Sequence, residues 1–272
     1  MLQRVPAFEF SDAAKRVRAF IYDFWCANGR GPNLRDVHEA TGLSRREILD
    51  TYEELELGII LVVDHSTQNA NLLKCQPFSS YPSQVQVFVD DEFHSFAGCA
   101  MESVAISKMP PFAGREVRLE SYCACCLAPV SLVSRDGEIV QRSAPGAGIH
   151  VSTTPFTWGL PNIVHMCDSM NYVLDASHAD RYEHQVGRRG VFFDMRQAQW
   201  FVASTGDARM HDYDWAPVVL RGDWVLAAIE KIGVDVSAWK DSAPESSPES
   251  SPESSGDADA AAIESGQNAK QP

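Results

Sequence analysis

The chain has no run of about twenty consecutive apolar residues, so no helical membrane span is expected. Its first ten residues, Met1 to Phe10, lack the charged-then-apolar pattern of a secretory leader, and the expectation is a cytoplasmic protein. There is no Gly-rich phosphate loop, which argues against a Rossmann-type nucleotide fold. Basic residues are scarce: 23 Lys and Arg stand against 37 Asp and Glu, for a net charge of −14. Such a surface repels a polyanion unless a local basic face compensates, so nucleic acid is an unlikely partner on charge alone. Cysteine is not lacking. Seven are present, an odd number in a chain expected to lack an export signal. In a reducing compartment such thiols are expected to be buried, reactive or metal-binding rather than paired in disulfides.

The remaining composition, 44% hydrophobic and 22% charged over 272 residues, suits one large or two small globular units. From Asp241 onward the chain repeats Pro-Glu-Ser-Ser and then turns to Ala, Ser, Gly, Asp and Gln. That stretch has too little apolar surface to offset its ordering entropy, so residues 241–272 are read as a disordered acidic tail.

Residues 11–80 read as a helical N-terminal domain. Ser11 can cap a helix whose Val17, Phe20, Ile21, Phe24 and Trp25 share one face. Asn33 opens a second helix, which Gly42 breaks. Ser44 and Glu47 form a capping box for a third, carrying Ile48, Leu49, Tyr52 and Leu55 inward. Gly58 ends it, and the β-type runs Ile59 to Val63 and Leu72–Leu73 follow. Three helices and a hairpin predict a winged-helix-like unit, with Arg45 and Arg46 as the residues that would read DNA. The acidic residues Glu47, Asp50, Glu53, Glu54 and Glu56 on the same helix favour a structural module instead. Residues 83–240 mix strands (Val85 to Val89, Glu116 to Tyr122, a hairpin about Arg135-Asp136-Gly137, Ile149 to Ser152) with later helices (Met195 to Ala203, Trp224 to Ile232). The fold class expected is α+β.

Three cysteine contexts could carry chemistry. Cys99 follows a short strand ending in Gly98 and precedes a helical run from Ala100. The helix dipole there would favour its thiolate, and Glu102 projects from the same face as a proton-relay partner. The bland alternative, a small core Cys with a first-turn acid, fits that spacing equally well. Cys167 lies in His165-Met166-Cys167-Asp168; taken alone, it reads as a buried core cysteine. Cys123-Ala124-Cys125-Cys126 is dense enough to suggest soft-metal binding, but no second Cys-x-x-Cys follows and the spacing is wrong for a tetrahedral zinc site. Cys26 and Cys75 sit in apolar surroundings and are expected to be inert.

The stretch Phe96-Ala97-Gly98-Cys99-Ala100-Met101-Glu102-Ser103 resembles the organomercurial (alkylmercury) lyase motif, in which a catalytic Cys is followed three residues on by an acid. Glu120 to Leu132, ending Ala128-Pro129-Val130-Ser131-Leu132, is similar to that family's central strand, and Trp200 to Ser204 to a late helical stretch. The order places the family's second catalytic Cys at Cys167, and Cys123 matches a Cys that looks structural. The chain departs in having Glu102 where the family usually has Asp, Asp168 and Asn171 beside Cys167, and the extra thiols Cys125 and Cys126. The resemblance implies an alkylmercury-lyase-like domain over residues 83–240. It further implies protonolysis of a carbon–mercury bond by Cys99, Cys167 and Glu102, with Cys99 and Cys167 holding mercury and Cys125 and Cys126 as auxiliary thiols. No organic cofactor is implied; Hg²⁺ is product, passed to small thiols or a mercuric reductase, and no membrane partner is expected. Two other readings stay open: a non-catalytic soft-metal binder using Cys99, Cys125, Cys126 and Cys167, and a winged-helix regulator.

Overall fold

The computed structural model describes residues 9–158, 163–205, 210, 212 and 222–240. The acidic tail and the approach to Cys167 through Pro161-Asn162 lie outside them. The chain opens with three helices, α1 (Asp12–Asn28), α2 (Leu34–Thr41) and α3 (Arg45–Leu57), each begun by the side chain expected from sequence. The Ser11 hydroxyl accepts from the Ala14 amide, and Asn33 and Ser44 both complete capping boxes. Gly29 and Gly42 end the first two helices at φ 67° and 72°, left-handed geometry that a Cβ disfavours. The buried stripe of α1 is wider than its apolar periodicity: Arg18 and Tyr22 are buried with Val17, Ile21 and Trp25, whereas Phe20 and Phe24 are only half-buried.

The strands after α3 are β1 (Leu61–Val63), β2 (Leu72–Cys75), β3 (Phe78–Ser79), β4 (Gln86–Val89) and β5 (Glu92–Ala97). A short helix α4 (Ala100–Ser103) precedes β6 (Val117–Tyr122), β7 (Pro129–Arg135) and β8 (Glu138–Arg142). These eight strands form one antiparallel sheet in the order β1-β2-β3-β5-β4-β6-β7-β8. The two-residue β3 joins the hairpin after the helices to the central strands, through Lys74↔Ser79 on one side and Phe78↔Ala97 on the other. Trp25 of α1 stacks on Phe78 with ring centroids 5.7 Å apart, a contact that fixes the helices onto the sheet.

A second, three-stranded antiparallel sheet has β9 (Gly148–Val151) between β10 (Met170–Val173) and β11 (Val191–Asp194). Around it lie α5 (Ile163–Asp168), α6 (Ala176–Val186), α7 (Met195–Thr205) and a helix over Gly222–Lys231. β9 is buried along its whole length, including His150, whose Nε2 lies 3.0 Å from a Glu183 carboxylate oxygen. Helix α4 bridges the two sheets: Ser103 and Tyr172 of β10 share a 2.8 Å hydroxyl hydrogen bond inside the core. No described helix is long and apolar enough to cross a membrane.

Candidate active site

The bridge between the sheets is where sequence-distant sulfurs meet. Strand β5 ends at Ala97, Gly98 turns the chain, and Cys99 is the N-cap of α4. Gly98 leaves space for Glu102, because a Cβ there would lie 2.6 Å from a carboxylate oxygen, which would have to shift. Its amide donates to the Pro77 carbonyl at 2.6 Å, which ties the turn to β3. The Cys99 sulfur accepts the Glu102 amide at 3.4 Å and lies 3.9 Å from the Met170 sulfur. Cys167 arrives from the other side on α5. The Cys99 and Cys167 sulfurs and a Glu102 carboxylate oxygen all lie within 4.8 Å of one another, and all three residues are buried.

The dipole argument for Cys99 is overturned. Helix α4 has only four residues, too short to supply much field, and burial withholds the water that would stabilise a thiolate. Desolvation, then the neighbouring Cys167 and Glu102, push the Cys99 thiol well above its ordinary value, against the weaker help of the Glu102 amide. Burial therefore favours the protonated thiol at Cys99. Any metal that takes this sulfur must displace its proton, and Glu102 is the acceptor at hand.

Sequence reasoning missed Lys74, which is fully buried yet charged. Its ammonium donates to the Gly98 carbonyl at 3.0 Å and to Asp168 at 2.8 Å, so it joins the turn before Cys99 to the residue after Cys167. Burial opposes its charge, but the nearby Cys167 and Asp168 outweigh that and hold it above the usual lysine range. The available signal was the polar residue inside the otherwise apolar run Leu72-Leu73-Lys74-Cys75.

Comparison with known proteins gives this arrangement a context. The alkylmercury lyase family profile, MerB, matches residues 78–205, which include Cys99, Glu102 and Cys167. Over that span, a little under half of the chain, the sequence is similar to the alkylmercury lyase family. Among solved structures, the mercury-bound form of MerB2 matches with a TM-score of 0.59 at 16% identity, over 76% of this chain and 93% of that one. At that identity the likeness is one of fold. No curated protein matches the chain.

The other cysteines take separate places in this alkylmercury lyase fold. Cys26 and Cys75 are buried in the core, and burial, with Asp23 nearby, pushes the Cys26 thiol up to about 12. The run Cys123 to Cys126 forms the turn between β6 and β7, with Cys123 buried, Cys125 half-buried and Cys126 exposed. It does not join the buried trio. A single four-sulfur site of Cys99, Cys125, Cys126 and Cys167 is therefore not assembled; among the described residues the donors fall into two clusters. The soft-metal reading of the run gains a donor that its own spacing does not supply, because His178 of α6 folds back to within 4.8 Å of the Cys123 and Cys126 donors. Arg46 is spent on an exposed ion pair with Asp50 (3.8 Å), and Arg45 donates to the Gln68 carbonyl.

Proposed function

We propose that this chain is an alkylmercury lyase that protonolyses carbon–mercury bonds at Cys99, Cys167 and Glu102. The observation that carries the reading is the convergence of two buried sulfurs and one carboxylate within 4.8 Å. Mercury is a soft cation, so thiolates outcompete oxygen and nitrogen donors for it. As an organomercury cation meets Cys99, the sulfur–mercury bond forms and the thiol proton passes to the Glu102 carboxylate. Cys167 then binds the same mercury and releases its own proton. The second sulfur raises electron density on the metal-bound carbon, whose bond to mercury breaks as the carbon takes the proton held by Glu102. One organomercury cation and two thiols thus give one hydrocarbon, one dithiolate-held Hg²⁺ and one proton. Exogenous thiols, or a mercuric reductase, would remove the Hg²⁺, and the chemistry calls for no organic cofactor. Glu102 reaches one methylene further than the Asp usual in the family, and Gly98 leaves room for its oxygen.

Phenylmercury with excess small thiol should release benzene from the full chain and none from Cys99→Ser, as read by headspace gas chromatography. Equal release from both would end the proposal.

A further inference from the structure

The second cluster is built from elements that the lyase reading does not use. Cys123 and Cys126 are themselves a Cys-x-x-Cys pair in the β6–β7 turn. The turn is closed by the Cys123 amide on the Ala128 carbonyl (2.8 Å) and the Leu127 amide on the Cys123 carbonyl (2.8 Å). It is tied to the second sheet by the Ala124 amide on the Tyr172 carbonyl at 2.9 Å. His178 enters from the first turn of α6, and its ring nitrogen lies within 4.8 Å of both sulfur donors.

Asp175 holds that ring. His178 Nδ1 lies 2.9 Å from Asp175 Oδ1, and the same oxygen accepts the His178 amide at 2.9 Å and the Ser177 hydroxyl at 2.7 Å. A carboxylate on Nδ1 keeps the proton there and leaves Nε2 with its lone pair free, the usual arrangement behind a metal-binding histidine. Metal–sulfur lengths near 2.3 Å and metal–nitrogen lengths near 2.0 Å put tetrahedral donors roughly 3.5–3.8 Å apart. Donors within 4.8 Å need only small rotamer adjustments to reach that spacing.

We propose that Cys123, Cys126 and His178 form a second metal site for a tetrahedral divalent cation of the Zn²⁺ kind, with Asp175 as the positioning residue. On binding, the two thiols release two protons to solvent, and two thiolates with a neutral imidazole leave the bound site uncharged. A water can take the fourth position without changing that balance; Cys125, half-buried in the same turn, would release a third proton and leave the site at −1. The site pins the β6–β7 turn to α6, and it stands whether or not the buried trio is a lyase.

The test is anaerobic Co²⁺ titration of the full chain carrying Cys99→Ser and Cys167→Ser, which silences the first cluster. One equivalent should bind with sulfur-to-cobalt charge transfer and the intense visible bands of tetrahedral Co²⁺, and Zn²⁺ should displace it. Adding Asp175→Asn should weaken binding about 10–100-fold. Adding Cys126→Ser and His178→Ala together should remove the bands. These two side chains are exposed and half-buried, so circular dichroism should stay unchanged. Failure of the silenced chain to bind Co²⁺, or binding that survives loss of Cys126 and His178, overturns the proposal.

Discussion

Two thiol clusters sit in one chain, and their surroundings divide their chemistry. Cys99, Glu102 and Cys167 are buried where two sheets meet, whereas Cys123, Cys126 and His178 run from buried to exposed across a turn and a helix start. Burial makes the first cluster a place where charge is expensive, so protons there must travel with the metal and stay available to a leaving carbon. The second cluster has solvent beside it and a histidine held by a carboxylate. On the proposal above, it would shed its protons to water and retain an ion. On the two proposals above, the same residue types would give turnover or retention according to whether a proton stays in the site.

The largest effect that would sharpen this contrast comes from Glu102→Gln. Removing the proton carrier should cut hydrocarbon release about 10²–10⁴-fold, while Co²⁺ binding at the second cluster stays as it was. Parallel benzene and cobalt assays on one preparation check both halves, and an unimpaired release would break the comparison.

A smaller loss is expected of Gly98→Ala. Its Cβ would sit 2.6 Å from the Glu102 oxygen and push the carboxylate off the sulfurs, at a cost of about 10²-fold in kcat. Crystallography of the variant would locate the displaced carboxylate. Retained kcat would mean that the carboxylate's position is not critical.

The third comparison is of thiol reactivity. Cys126 is exposed, whereas Cys99 is 5% exposed and held protonated by desolvation. Iodoacetamide should therefore label Cys126 at least about tenfold faster than Cys99 at pH 8. Because the Cys99 pKa is raised above the ordinary thiol value of 9.0, its thiolate fraction should still be climbing at pH 9, and its labelling rate with it. Peptide mapping by mass spectrometry follows both sites. A Cys99 rate that levels off by pH 8 would contradict the burial argument.

Much of the local structure was legible in advance. Ser11, Asn33 and Ser44 start helices because their side chains satisfy amides that the helix leaves unpaired, a rule that needs no tertiary information. Asp136-Gly137 closes the β7–β8 hairpin for a similarly local reason. The α+β class followed from strands preceding helices, and the MerB-like fold bears it out. Strand β11 and helix α6 were not recognised. Val191-Phe192-Phe193 is short and flanked by glycine and a helix, and α6 is polar over most of its surface.

By itself, the order of residues determined the helix caps, the turn glycines, and the candidacy of Cys99, Glu102 and Cys167, since each depends on neighbours a few positions away or on family motifs. Only the tertiary structure decided which sulfurs come together, that burial pushes the Cys99 thiol up, that Lys74 links Gly98 to Asp168, and that His178 reaches the Cys123–Cys126 turn. Those outcomes depend on burial and on through-space distances between residues as many as 94 positions apart. Electrostatics acts across such distances, and no local pattern encodes them.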